Sequence, residues 1–158
     1  MNSRDILKLV VAVVISELAG VIGSLFTVSA IVSWYAGLAK PALNPPSWVF
    51  TPVWTVLYLL MGIAAFLVWK NSWEKKEIRV ALYVFGIQLV LNAAWSVIFF
   101  GLQNPGAAFI EIIFLWLAVI AAIIAFAKIS RPAAWLLAPY ILWVSFAAYL
   151  NYSIWVLN

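Results

Sequence analysis

The chain contains no cysteine and no histidine, and only two methionines among its 158 residues. Without cysteine there can be no disulfide, no thiolate metal site and no cysteine redox chemistry. Without histidine, imidazole cannot ligate haem iron or zinc, and neither Met1 nor Met61 is placed like an axial ligand. Charge is scarce too. Charged residues make up 9% of the chain, against about 25% in an ordinary water-soluble domain. A serine–base pair, a phosphate-binding glycine loop and paired carboxylates at useful spacing are all missing, which removes hydrolase and NTPase chemistry. No metal and no cofactor is expected. The net charge of +4 is not gathered into a patch that would hold nucleic acid.

What fills the chain instead is apolar. Hydrophobic residues account for 68% of it, and ten tryptophans are spread along its length. A membrane span needs about 20 apolar residues. Five such segments are read near Ile6–Phe26, Trp48–Trp69, Val80–Gly101, Ala107–Ala127 and Ala133–Val156. They are too long and too evenly apolar for barrel strands, which alternate with period two. Lipid offers the backbone no hydrogen bonds, so each span must be helical. The expected fold is therefore an all-α membrane protein, a single five-transmembrane-helix bundle covering residues 1–158. Arg4 and Lys8 precede the first apolar run as in a signal peptide, but the run is longer than such a peptide carries. Gly20, Gly23 and Ser24 point instead to close helix packing there.

Charge placement gives an orientation. Arg4, Lys8, Lys70, Lys75, Lys76, Arg79, Lys128 and Arg131 fall on one side if the spans alternate, and Lys40 alone falls on the other. The positive-inside bias then puts the amino terminus in the cytoplasm and the carboxy terminus outside. The connections differ in character. Asn104-Pro105-Gly106 and Ser130-Arg131-Pro132 are tight turns with proline placed to start the next helix. The segment Asn71-Ser72-Trp73-Glu74-Lys75-Lys76-Glu77 is polar and solvated. The first loop, about Thr27 to Ser47, is rich in proline and aromatics. It is either an interfacial belt or a stiff lid over one end of the bundle.

Few polar groups lie deep in the spans, and each must face the interior. Glu17 and Glu111 are the intramembrane acids, expected to be neutral and hydrogen-bonded to a neighbouring helix, or else to serve a proton relay or a ligand. Gln88, Asn92, Trp95 and Ser96 share one face of span three. They are read as interhelical glue or as a polar anchor in an apolar pocket. Trp54 and Tyr58 share a face of span two, and Trp143, Ala147 and Asn151 a face of span five. Aromatic planes with a few hydrogen-bonding groups suit a flat, apolar ligand.

These residues resemble a known family. Trp34-Tyr35-Ala36-Gly37-Leu38 with Lys40-Pro41, Pro45-Pro46 with Trp48, Pro52-Val53-Trp54, Leu57-Tyr58, Met61-Gly62 and Leu67-Val68-Trp69 carry the likeness through span two. Gln88-Leu89, Leu91-Asn92, Trp95, Phe99-Phe100-Gly101, Pro139-Tyr140, Trp143, Phe146-Ala147, Leu150-Asn151-Tyr152 and Trp155 continue it to the carboxy terminus. The chain is similar to the translocator protein family, whose bacterial members are called tryptophan-rich sensory proteins and whose mammalian member was known as the peripheral-type benzodiazepine receptor. The resemblance is to a prokaryotic member.

The resemblance implies a five-helix bundle, usually a homodimer in the lipid bilayer. It also implies a receptor or carrier that binds porphyrins (protoporphyrin IX and haem) and synthetic benzodiazepine-type and isoquinoline carboxamide ligands. Its pocket would be formed by Gly23, Tyr35, Pro45, Trp54, Tyr58, Asn92, Trp95, Trp143 and Ala147. Two other functions stand beside that one: a light- and oxygen-dependent porphyrin-degrading enzyme, and a structural or regulatory membrane partner. The mammalian cholesterol-recognition pattern ends in a basic residue. Here Leu150 and Tyr152 are followed by Trp155-Val156-Leu157-Asn158, which argues against sterol recognition of that kind.

Overall fold

The computed structural model describes residues 2–71 and 73–158; Met1 and Ser72, the latter within the expected polar loop, lie outside the described residues. Among the described residues, five helices are long and apolar enough to cross a membrane. The first, α1 (Ser3–Val32), opens on a capping box. Asn2 Oδ1 accepts from the Asp5 amide at 2.9 Å, and the Asp5 carboxylate accepts from the Asn2 amide. Helix α2 covers Phe50–Trp69 and α3 covers Lys76–Ser96. Helix α4 (Pro105–Ala127) starts at the expected proline, with Asn104 accepting from the Ala107 amide at 3.0 Å. The last span divides into α5 (Arg131–Leu136) and α6 (Ala138–Leu157).

One boundary departs from the sequence reading, and two spans carry an irregularity that it did not anticipate. Helix α1 runs to Val32, beyond the expected end at Phe26. Thr27 and Ser33 look like loop residues, but their hydroxyls donate to the carbonyls of Gly23 and Ser29, four residues back. The helix absorbs their polarity, and Ala30 is buried. At its 30 residues, α1 is about 45 Å long, more than the roughly 30 Å of a hydrocarbon core. The fifth span breaks at Leu137 because Pro139 has no amide to donate and its ring crowds the carbonyl four residues earlier. Span three ends in a wide π turn, Val97–Gly101, sealed by the Leu102 amide on the Val97 carbonyl at 2.8 Å. Gln103 then takes a left-handed conformation (φ 51°) and turns the chain into α4.

Packing sets the order of helices around the bundle. Helix α1 lies against α2 and α3, α3 against α4, and α4 against α6, while α5 packs on both α2 and α4. The ring therefore closes through α5 at one end only. Toward the first loop, the α2 and α6 backbones stay apart, and side chains must bridge them. The main core gathers around Met61, Phe66, Val68, Phe85, Ile112 and Phe126. A second, smaller cluster forms around Tyr35, Phe99, Ala108 and Ile154, under the first loop.

Candidate ligand-binding cavity

Two hydrogen-bonded layers hold the open end of the bundle. In the deeper layer, the Tyr58 hydroxyl donates to Asn92 Oδ1. Asn92 Nδ2 donates to the Tyr140 hydroxyl at 3.1 Å, and that hydroxyl donates to Gln88 Oε1 at 2.8 Å. Gln88 Nε2 ends the chain 3.8 Å from Met61 Sδ. Gln88, Asn92 and Tyr140 are each exposed by 2% or less, so α2, α3 and α6 are tied together out of reach of lipid. In the second layer, Trp95 Nε1 donates to Asn151 Oδ1 at 2.9 Å, and Asn151 Nδ2 donates to the Pro105 carbonyl at 2.7 Å. This joins α3 to α6 and α6 to α4.

The first loop covers the same end. Two short 3-10 turns, Tyr35–Gly37 and Ser47–Val49, bracket its prolines. Tyr35 is buried against Phe50, Phe99 and Phe100, and its hydroxyl donates to Asn44 Oδ1 at 2.8 Å. Burial raises the Tyr35 phenol above its ordinary pKa, and the bond to Asn44 offsets part of that, so the hydroxyl keeps its proton and donates. Lys40 Nζ sits 4.8 Å from the centre of the Tyr35 ring and donates to the Leu38 carbonyl at 3.0 Å. Asn158 clasps the loop from the end of α6. Its Oδ1 accepts from the Ala39 amide and its Nδ2 donates to the Ala39 carbonyl, both at 3.0 Å. Tyr35 packs inward from this loop as a lid residue would, while Trp48 stays exposed as in an interfacial belt.

Between the layers, the loop and α1 lies a cavity of about 310 Å³. Its walls are mostly aromatic and apolar. From α2 come Phe50, Trp54 and Tyr58, with the Trp54 and Tyr58 rings stacked at 5.5 Å. From α3 and its π turn come Trp95, Ser96, Phe99 and Phe100, with Trp95 stacked on Phe99 at 5.1 Å. Trp143, Ala147 and Ile154 enter from α6, and Trp143 meets Phe50 edge-on at 6.2 Å. Trp143 Nε1 is buried and has no hydrogen-bond partner among the described residues.

The structure thus brings most of the sequence-predicted site residues together. Gly23, Tyr35, Trp54 and Tyr58 line the cavity, as do Trp95, Trp143 and Ala147. Pro45 and Asn92 do not. Pro45 stays in the first loop, its carbonyl accepting from Asn44 Nδ2 at 3.1 Å. Asn92 lies in the deeper layer with both ends of its amide engaged. The polar face expected on span three is therefore divided: Gln88 and Asn92 act between helices, while Trp95 and Ser96 meet the cavity. Glu111 departs from the hydrogen-bonded reading of it: both its carboxyl oxygens are buried, and among the described residues neither has a hydrogen-bond partner.

Of the α1 contribution, sequence reasoning singled out Gly23 and offered Glu17 as a possible ligand group, but it missed the rest of the stripe. Glu17, Gly20, Ser24, Thr27 and Ile31 line the cavity at spacings of three and four. That stripe was legible as a mildly polar helix face, but residues so small give little signal. Gly20 is there because the Tyr58 ring lies where a Cβ would go, and Gly23 because Ser96 Oγ would stand 2.9 Å from one.

Residues 12–156 match the TspO/MBR family. The chain belongs to that family. It is 44% identical over 156 residues to the tryptophan-rich protein TspO of Chlorobaculum tepidum, covering 99% of each chain. It is 42% identical over 137 residues to the human translocator protein, covering 85% of this chain and 80% of the relative. The tryptophan-rich sensory protein of Cereibacter sphaeroides is 37% identical over 125 residues, 79% of this chain and 77% of its own. Family membership and the five apolar helices together make this an integral membrane protein.

Proposed function

We propose that this TspO-family protein is a membrane receptor or carrier for porphyrins such as protoporphyrin IX and haem, bound in the cavity beneath the first loop. The observation that supports this most is the wall chemistry. Trp54 on Tyr58 and Trp95 on Phe99 present two stacked aromatic pairs, and Trp143 lines the same space. Large aromatic planes in a dry site bind flat conjugated ligands by burial and stacking, without metal ligation. Synthetic isoquinoline carboxamides would compete for the same space.

Protoporphyrin IX added to the purified protein is expected to quench tryptophan fluorescence saturably. Trp54→Phe and Trp143→Phe together are expected to weaken that binding about tenfold, the equivalent of roughly 1.4 kcal/mol. Unchanged affinity in the double variant would rule this cavity out as the porphyrin site.

The same reading places the amino terminus in the cytoplasm and the first loop on the opposite side, as the position of Lys40 alone among the cations supports. The natural absence of cysteine allows a direct check. In right-side-out vesicles an impermeant maleimide should label Ala42→Cys in the first loop, and label Glu74→Cys only after permeabilisation. The reverse pattern would invert the topology.

A further inference from the structure

Apolar walls do not describe the cavity fully, because its lining also carries an acid. Glu17 is the only acid on its lining, and no lysine or arginine lies there. The carboxyl belongs to the α1 stripe that continues through Gly20, against which the Tyr58 ring packs. Neighbouring donors are already committed. Ser24 Oγ donates to the Val21 carbonyl at 2.7 Å and Thr27 Oγ1 to the Gly23 carbonyl at 2.9 Å. Thr55 Oγ1 donates to the Thr51 carbonyl at 3.0 Å, and the Tyr58 hydroxyl is spent on Asn92. The basic side chain of α1 nearest to Glu17 in sequence, Lys8, donates to the Trp69 carbonyl at 3.2 Å, toward the other end of the bundle. Among the described residues the Glu17 carboxyl makes no hydrogen bond.

An acid inside a membrane span is costly unless something answers it. No lysine or arginine on the cavity wall does. The adjoining surface is the stacked pair of Trp54 and Tyr58, whose π faces also attract cations. We propose that the cavity binds amphipathic cations: a flat apolar body against the aromatic walls, carrying a protonated amine that pairs with Glu17. This rests on the reading of the cavity as a ligand site and adds a ligand class to it. It also sets a condition on dicarboxylate ligands such as porphyrins, whose charged ends find no cation on this lining and must lie beyond it.

Three probes of one shape separate the possibilities: 1-pyrenemethylammonium, 1-pyrenemethanol and 1-pyrenecarboxylate. Each accepts energy from tryptophan. The protein is placed in nanodiscs of zwitterionic phosphatidylcholine, so that lipid charge does not attract the cation, and empty nanodiscs give the background. The ammonium is expected to bind about tenfold more tightly than the alcohol, and the carboxylate more weakly than either. In Glu17→Gln the ammonium and the alcohol are expected to bind alike. Equal affinities in the parent protein, or a preference that survives Glu17→Gln, would overturn the proposal. If the alcohol binds and protoporphyrin IX quenches but no charge preference appears, only this inference fails. If no pyrene probe binds and protoporphyrin IX fails as well, the cavity reading itself falls.

Discussion

Gly62→Ala is expected to lower the thermal midpoint by about 6–12 °C, corresponding to roughly 3 kcal/mol for a chain of this size. In an exposed helix the same change helps, since alanine is worth up to about 1 kcal/mol more than glycine. Here the sign reverses because of what stands opposite. A Cβ on Gly62 would lie 2.5 Å from Val13 Cα and 3.0 Å from the Val13 amide nitrogen. Those are backbone atoms of α1, and no rotamer change can move them. The two helices would have to separate by about 1 Å to restore ordinary contact. That would loosen the whole α1–α2 interface, one of the broadest in the bundle and a wall of the cavity. In a membrane, where lipid is as apolar as leucine, close packing of this kind is a main source of helix association. Gly86 supplies the control, since a Cβ there meets nothing within 4 Å. Gly86→Ala should leave the midpoint level or raise it. If the two variants behave alike in thermal unfolding scans, the close approach of α1 and α2 is not what holds them.

Asn92→Ala is expected to cost about 2–4 kcal/mol. The Tyr58 hydroxyl would lose its acceptor, Tyr140 would lose the amide that donates to it, and a void would open among three helices. An unpaired hydroxyl in this setting has no water to turn to. The effect should be partly relieved by removing the stranded group: Asn92→Ala with Tyr58→Phe is expected to be less damaging than the sum of the single changes, by about 1 kcal/mol. Strict additivity, or an undisturbed midpoint for Asn92→Ala, would show that the layer carries no weight. The test also distinguishes two roles for Asn92. The family resemblance implies a ligand contact, whereas its geometry is that of a tie between α2, α3 and α6.

How much of this was legible beforehand depends on range along the chain. The proline-started helices at Pro105 and Arg131, the inward face of Gln88 and Asn92, and the shared face of Trp54 and Tyr58 all follow from spacing within one segment. The end of α1 was misjudged because Thr27 and Ser33 read as loop residues, while their hydroxyls fold back onto helix carbonyls. For Glu111 the sequence leaves open a hydrogen bond to a neighbouring helix or a relay or ligand role, and among the described residues the hydrogen bond is not made. Glu17 was recognised as unusual, but nothing local said that it would share a cavity with Trp54 and Trp143.

By itself the sequence determined the solvent, the number of spans and which faces turn inward. Lipid leaves a backbone no choice but helix, and makes every buried polar group conspicuous. Only the tertiary structure decided that Asn92 is consumed between two tyrosines, that α2 and α6 part to leave a cavity, and that the Glu17 carboxyl is left facing it unpaired. Those outcomes depend on which helices become neighbours and how closely glycine lets them approach, and distances across a bundle are not written in the spacing along any one of its helices.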